Sequence, residues 1–359
     1  MRARLILEDG TVFSGTSIGA QKTVISEIVF NTSMTGYLEV LTDPSYAGQA
    51  ITMTYPLIGN YGVTPDREAD KIFAAGYIVR EISRYASNFR CEGQLEDFLK
   101  EQSIPGICGI DTRALTKLLR DKGTMNGMIT TEEIAVEEVL PKIRAYRVGD
   151  VVSRVTCPAV YSLRGKGFRV ALLDLGSKKN IVECLLNRGC SVTVFPAHTP
   201  AETILRMEPD GIMLSNGPGD PKDCMDIAME IKQLCESGIP VFAICLGHQL
   251  TALAHGGNTY KMKYGHRGGN HPVRDEETGR IYISSQNHGY VVDADSLPKD
   301  VATQVFVNVN DNTNEGLRYR RHPVFTVQFH PEASPGPLDS SVLFDRFMDM
   351  MSLRKTEQG

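Results

Sequence analysis

The sequence has no long apolar run and no marked excess of either charge. Its 359 residues include 38 Lys and Arg against 43 Asp and Glu, a net charge of −5. This balance gives no electrostatic reason to expect nucleic acid or an anionic membrane as a partner. No apolar segment approaches the length that spans a bilayer, and residues 1–9 hold too few apolar residues for a secretory leader. We therefore expect an ordinary globular protein of the cytoplasm.

Two further kinds of pattern are missing. Neither G-x-x-x-x-G-K-[ST] nor G-x-G-x-x-G occurs, so any ATP chemistry is expected on another polypeptide. The eight cysteines form no C-x-x-C pair, which argues against a disulfide framework and favours reduced thiols.

A metal site could be drawn from Cys245 with His248 or from His266 with His271, but neither has a second pair at structural-zinc spacing. We expect no metal.

The length predicts two domains, since compact units typically run to about 100–200 residues. A charged, weakly periodic stretch closed by glycines extends from about residue 130 to residue 166. We predict an N-terminal domain over residues 1–130, a connection over 131–167 and a second domain over 168–355.

The first domain is predicted to be of mixed α+β type. Two short apolar strands flank Asp9-Gly10, a dipeptide suited to a two-residue type I′ hairpin turn. Asp111 is a candidate N-cap for an amphipathic helix that ends before Gly123.

The second domain alternates apolar strands with helices, a pattern typical of an α/β fold with a mostly parallel sheet covered by helices. We predict strands at 169–173, 191–195, 211–214 and through Val241, and helices at 179–188, 222–236 and after Cys245. Ligands of such sheets bind beyond the carboxyl ends of the strands.

Cys245 stands where one of these strands turns sharply into a helix. This is the geometry of a nucleophile elbow, in which helix N-terminal N–H groups lie beside the thiol and favour the reactive thiolate. A buried core cysteine is the ordinary alternative. A catalytic role would also need a base, a group that orients the base, and donors for an oxyanion.

The sequence offers a candidate for each of these roles. His330 is the last residue of a predicted strand, Val324–His330, and Glu332 would share its side if the chain stays extended through Pro331. His248 and His288 compete for the role of base, but His248 should point away from the thiol. The loop Ser215–Asp220, with Gly217 and Gly219, offers N–H groups unhindered by side chains, although a plain β-turn is a common alternative.

Together these motifs resemble the class I (triad) glutamine amidotransferases. The resemblance rests on Phe242–Gln249, Ser215–Asp220 and His330–Glu332. In the first half, the segments 30–37, 42–46, 54–56 and 109–113 look like the small subunit of carbamoyl-phosphate synthase. The resemblance covers essentially the whole chain.

The resemblance implies that Cys245 attacks the side-chain amide of glutamine, that His330 acts as acid and base, and that Glu332 orients His330. Backbone N–H groups of Gly219 and Leu246 would bind the oxyanion. Contacts to L-glutamine would come from Ser45, Gly217, Gly219, Leu246, Gln249, Asn287, Gly289 and Tyr290. Ser45 lies in the other domain, and its ordinary interpretation is a turn residue.

The resemblance also implies a complex in which ammonia passes through a tunnel to a large subunit. There bicarbonate and ATP, with Mg²⁺, would give carbamoyl phosphate for arginine and pyrimidine synthesis, so no cofactor is expected in this chain. Two alternatives remain at this point: an amidotransferase of another pathway, such as anthranilate or guanylate synthesis, and a catalytically silent regulatory subunit.

Overall fold

The computed structural model describes residues 1–358, which form two compact units, residues 1–149 and the chain from Asp150 onward. Within the described residues, no helix is both long enough and apolar enough to cross a membrane.

The first unit is built on a seven-stranded mixed sheet that closes on itself in the order β1-β2-β8-β6-β4-β3-β9. The strands of this unit are β1 Arg2–Leu7, β2 Val12–Gly19, β3 Val24–Asn31, β4 Gln49–Met53, β5 Leu57–Ile58, β6 Gly76–Ile78, β7 Glu81–Ile82, β8 Pro105–Cys108 and β9 Met125–Thr130. Its helices are α1 Tyr37–Thr42, α2 Leu95–Glu101, α3 Thr112–Lys122 and α4 Val136–Ala145. The predicted mixed character is confirmed, and closure of the sheet is a feature that the sequence pattern did not indicate.

The first hairpin forms as predicted, but its turn differs. Strands β1 and β2 pair with Ile6 opposite Val12, and Leu7 N donates to Thr11 O at 2.9 Å. Three residues therefore form the loop, and among its non-glycine residues none has a positive φ, whereas a type I′ turn needs two such positions. Gly10 alone takes the left-handed conformation, with φ 89°. The prediction of a two-residue type I′ turn was wrong because the glycine closes a longer, bulged loop.

Helix α3 begins and ends where its caps predict. The Asp111 side chain accepts a hydrogen bond from Ala114 N at 2.9 Å, and Gly123 ends the helix with φ 100°. The segment predicted as a connection, residues 131–167, contains helix α4 of the first unit and a short helix and a short strand of the second.

The second unit contains a ten-stranded sheet in the order β10-β12-β11-β13-β14-β19-β18-β17-β15-β16. Its strands are β10 Tyr161–Leu163, β11 Arg169–Asp174, β12 Ser191–Pro196, β13 Gly211–Leu214, β14 Val241–Ile244, β15 Asn258–Asp275, β16 Ile281–Asp293, β17 Ala302–Asn308, β18 Asn314–Tyr319 and β19 Val324–Val327. Its helices are α5 Val152–Val155, α6 Lys179–Leu186, α7 Ala201–Leu205, α8 Met225–Glu236, α9 Leu246–Ala254 and α10 Val342–Gln358. Strands β12, β11, β13, β14 and β19 pair in parallel, and the other pairs are antiparallel.

Helices cover both faces of this sheet, which confirms the α/β prediction. One apolar cluster joins the strands to α7, α8 and α9, and the other joins them to α6 and α10. Successive strand residues such as Phe242 and Ala243 belong to opposite clusters, as the two-residue period of a strand requires. The long antiparallel strands β15 and β16 were not predicted.

Candidate active site

The candidate site lies at the edge where the parallel strands β11, β13, β14 and β19 end. Parallel neighbours end on the same side of a sheet, so residues that follow them in sequence become neighbours in space. Lys178, Gly217, Cys245 and His330 each follow one of these strands.

Cys245 has the strained backbone of an elbow. Its φ of 53° and ψ of −104° lie outside the regions that non-glycine residues favour. Cys245 N donates to Val327 O at 2.8 Å, which fixes the elbow to β19. The thiol is buried, and Sγ lies 3.7 Å from Asn287 O. A reactive group held in a strained turn at a strand end is the arrangement predicted from the sequence.

His330 and Glu332 form a buried pair. His330 Nδ1 lies 2.6 Å from Glu332 Oε1. The prediction of an extended chain through Pro331 was wrong: Pro331 and Glu332 lie in a turn closed by a hydrogen bond of 3.0 Å from Ala333 N to His330 O, and this turn brings the two side chains together. Burial by itself lowers the pKa of His330, but the charge of Glu332, an interaction with Cys245 and the hydrogen bond with Glu332 outweigh burial and raise the pKa. The surroundings therefore stabilise the imidazolium that His330 becomes when it accepts a proton.

Lys178 is a member of this cluster that the sequence analysis missed. Its ammonium lies 3.1 Å from Glu332 Oε1, and both side chains are almost fully buried. Burial alone would raise the pKa of Glu332, whereas the charges of Lys178 and His330 lower it. Asn180 Nδ2 and Lys178 Nζ also donate to the backbone carbonyls of Glu332 and Ala333. The carboxylate is thus held ionised and in place.

The glycine loop packs against the start of helix α9. A Cβ on Gly217 would lie 2.7 Å from Leu246 Cδ2, and Gly219 has a positive φ of 95°. Gly247 N donates to Ser215 O at 3.1 Å, which ties the helix to the loop. The loop and the first turn of α9, including Leu246, therefore lie together beside Cys245, where N–H groups without intrahelical partners are available.

The other residues predicted to contact glutamine in this unit also lie near the elbow. Gln249 is buried, and its Nε2 donates to Tyr290 O and Gln328 Oε1, both at 2.9 Å. Asn287 contacts the thiol through its carbonyl, and Gly289 and Tyr290 follow on the same strand, β16. Gln328 was missed, although its place between β19 and His330 points to it.

The rival bases are engaged elsewhere. His248 Nδ1 lies 2.7 Å from Thr326 Oγ1, and burial lowers the His248 pKa to about 3. His288 Nδ1 lies 2.8 Å from Tyr290 O, and burial lowers the His288 pKa well below its usual range.

Ser45 belongs to the first unit, in a short 3₁₀ helix where Asp43 accepts a hydrogen bond from Ser45 N. Its role toward glutamine stays a prediction.

Comparison with known proteins places this geometry in a family. Residues 171–350 match the family model "Glutamine amidotransferase class-I", and residues 5–129 match "Carbamoyl-phosphate synthase small chain, CPSase domain". The carbamoyl phosphate synthase small chain of Listeria monocytogenes (strain EGD-e) is 51% identical over 97% of this chain and 96% of its own length. That of Clostridium perfringens is 51% identical over 97% and 99%. The chain belongs to the carbamoyl phosphate synthase small chain family.

The sequence left open whether the chain is a carbamoyl-phosphate synthase subunit or an amidotransferase of another pathway, and membership of the small chain family decides between these two. An amidotransferase of another pathway would share the second unit but has no reason to match the small-chain model over residues 5–129. One relative, from Halalkalibacterium halodurans, is named a pyrimidine-specific small chain and is 49% identical over 99% of this chain. This small chain is the glutamine amidotransferase subunit of a ligase, as the sequence predicted.

Proposed function

We propose that this chain hydrolyses L-glutamine through a Cys245 thioester and delivers the ammonia to a carbamoyl-phosphate synthase large subunit. The observation that carries the proposal is the buried row Cys245–His330–Glu332 at one sheet edge, beside the Gly217–Gly219 loop. The small-chain names of relatives about 50% identical over nearly the full length support the assignment of a large-subunit partner.

In the first half-reaction the thiol proton passes to Nε2 of His330 and the sulfur attacks the amide carbon. The resulting oxyanion accepts hydrogen bonds from the N–H groups of Gly219 and Leu246, which are oriented before the charge develops. Collapse of the intermediate breaks the C–N bond, and His330 donates its proton to the leaving nitrogen, which departs as ammonia.

In the second half-reaction His330 takes a proton from water, and the hydroxide attacks the thioester carbon. The C–S bond breaks, Cys245 recovers its proton from His330, and glutamate leaves. Glu332 stabilises the imidazolium in both halves and keeps Nε2 toward the sulfur, since its own oxygen holds Nδ1. Ser45, Gln249, Asn287, Gly289 and Tyr290 are proposed to bind glutamine.

The large subunit would bind ATP and Mg²⁺ and convert bicarbonate and ammonia to carbamoyl phosphate, which serves arginine and pyrimidine synthesis in the cytoplasm. This chain carries neither of the phosphate-binding sequence motifs, which supports a division of labour between two polypeptides.

The test is a Cys245→Ser variant assayed together with the large subunit. We expect glutamine-dependent carbamoyl phosphate synthesis to be lost and synthesis from added ammonium salts to be retained, because only ammonia release needs the thiolate. Ammonia release by the wild-type chain should be slow alone and rise when the large subunit is added. Loss of both synthetic activities in the variant would contradict the separation of roles.

A further inference from the structure

One strand segment, residues 285–290 of β16, contacts three residues of the candidate active site in the second unit. Ser285 O accepts from His330 N at 2.9 Å, Asn287 O faces the Cys245 thiol at 3.7 Å, and Tyr290 O accepts from Gln249 at 2.9 Å. We call this segment the site wall. Because its carbonyls face the nucleophile, the proposed base and a proposed glutamine-binding residue, a small displacement of the site wall would disturb glutamine and nucleophile together.

A buried polar network adjoins the site wall, and His266 is at its centre. His266 lies on β15, opposite His288 in the register of the β15–β16 pair. Its Nδ1 lies 2.9 Å from Gln286 Oε1, and its Nε2 lies 2.8 Å from Asp311 Oδ2. A second carboxylate, Glu315, faces Nδ1, so the surroundings of the ring favour the imidazolium form of His266.

The charges around His266 agree with this protonation state. Burial lowers the pKa of His266, but hydrogen bonds and attraction from Asp311 and Glu315 outweigh it and raise the pKa to about 9. Glu315 is fully buried, and its Oε1 lies 3.4 Å from His266 Nδ1. A buried carboxylate is tolerated only when it is paired and hydrogen-bonded, and His266 supplies the nearby positive charge.

Gln286 transmits this arrangement to the site wall, of which it is a member. Its Oε1 accepts from His266, and its Nε2 donates to Glu315 Oε1 at 2.9 Å, so the cation and the anion fix the two ends of one amide. His288 Nε2 lies 2.8 Å from the same Gln286 Oε1, and His288 Nδ1 lies 2.8 Å from Tyr290 O. The side chains thus link His266 to the carbonyl that holds Gln249.

A metal ion is the competing explanation for this cluster. His266, His288 and Glu315 each offer one ligand atom, and these atoms lie within 4.8 Å of one another. A ligating imidazole nitrogen must be deprotonated, so metal binding and the imidazolium form of His266 exclude each other. Asp311 lies 2.8 Å from Nε2 and Glu315 lies 3.4 Å from Nδ1, so both ring nitrogens face a carboxylate, an arrangement that protonation of His266 satisfies.

We propose that His266, held as an imidazolium between Asp311 and Glu315, is a positioning residue that fixes the site wall for glutamine binding. This inference rests on the proposed function, because its readout is the use of glutamine. His266 acts through Gln286 and His288, which separates it from the residues that would contact the substrate.

The test compares His266→Gln and Asp311→Asn with the wild-type chain, each in complex with the large subunit. We expect the KM for glutamine to rise about tenfold or more in both variants, in line with the loss of an outer-shell partner, and kcat to fall by a smaller factor. Synthesis from ammonium salts should not change. The matched control is Asp226→Asn, which breaks an exposed His198–Asp226 pair of 2.9 Å in the same unit and should leave KM unchanged.

Two further variants separate positioning from general damage. Asp311→Glu keeps the charge and should recover most of the affinity, and the double variant His266→Gln/Asp311→Asn should cost no more than His266→Gln alone if the pair acts as one unit. The Asp311 side chain is 40% exposed and His266 only 6%, so substitution of Asp311 tests the inference even if His266→Gln does not fold.

The outcomes distinguish the two proposals. If the wild-type complex does not use glutamine, the proposed function is wrong. If it does, but Asp311→Asn leaves KM unchanged or lowers kcat and kcat/KM by the same factor, His266 does not position the glutamine site and the inference fails.

Discussion

At the scale of single residues, the buried ion pair between Lys178 and Glu332 leads to a specific prediction. It lies 3.1 Å from Glu332 in a site where both side chains are excluded from water, and its charge helps to lower the pKa of that carboxyl. We expect Lys178→Met to reduce kcat/KM for glutamine by about tenfold or more, because Glu332 would hold His330 less firmly. Steady-state ammonia release in the complex measures this effect.

The neighbouring residue provides the control. Lys179→Met changes the same charge one position along the chain, but Lys179 is exposed at the start of α6. It should leave kcat/KM within a factor of about two, as surface substitutions usually do. Equal losses from the two variants would show that net charge, and not the buried ion pair, is responsible.

Residue-level prediction succeeded where chain position alone determines the neighbours. Cys245 and His330 each follow an apolar strand of one parallel sheet, so their meeting at the sheet edge follows from topology. Lys178 follows such a strand too, but a lysine near a helix start is ordinarily solvated, and its partner Glu332 lies 154 residues away. Burial of that lysine depends on tertiary packing that no local pattern indicates.

At the scale of elements, the close packing of α9 on β13 is decisive for the elbow. A Cβ at Gly247 would lie 2.7 Å from Leu214 O and 2.8 Å from Leu214 Cβ, and a strand backbone cannot yield as a flexible side chain can. Gly247→Ala should therefore push the helix outward, cost about 1–3 kcal/mol of unfolding free energy and lower kcat for glutamine. Chemical denaturation and ammonia release measure the two effects.

A second glycine provides the comparison for Gly247. A Cβ at Gly93 would meet no atom within 4 Å, so Gly93→Ala should change neither the unfolding free energy nor kcat appreciably. If Gly247→Ala behaved in the same way, the elbow would not depend on close contact between α9 and β13.

The elements that the sequence predicted are those with strong local signals. Helix α3 has an Asp cap and a glycine end, and the parallel strands are short apolar runs. Strands β15 and β16 were missed because buried polar residues such as His266, Gln286 and His288 interrupt the apolar alternation by which a strand is recognised. The same polar residues that interrupt the strand pattern, such as His266, Gln286 and His288, belong to the polar network at the site wall.

At the scale of the whole molecule, the buried histidines make stability depend on pH in two directions. Burial lowers the pKa of His271 to about 4 and that of His248 to about 3, so the stability that their neutral forms contribute is lost as the pH falls below about 6.5. His266 has the opposite sign. Its pKa is raised from 6.5 to about 9, so its contribution is complete below pH 6.5 and is lost as the pH rises toward 9.

The difference in unfolding free energy between the wild-type chain and His266→Gln isolates the high-pH contribution. The groups facing His266 are the carboxylates of Asp311 and Glu315 and the neutral rings of His271 and His288, with Arg267 nearby. Among His266, His271, His288 and Asp311, only His266 is expected to titrate between pH 6.5 and 9. The wild-type advantage should therefore be largest near pH 6 and shrink steadily toward pH 9, as measured by chemical denaturation at several pH values. A difference that stays constant over this range would mean that His266 is not an imidazolium. Gln286 would then be held by packing and neutral hydrogen bonds, and not by a charged partner.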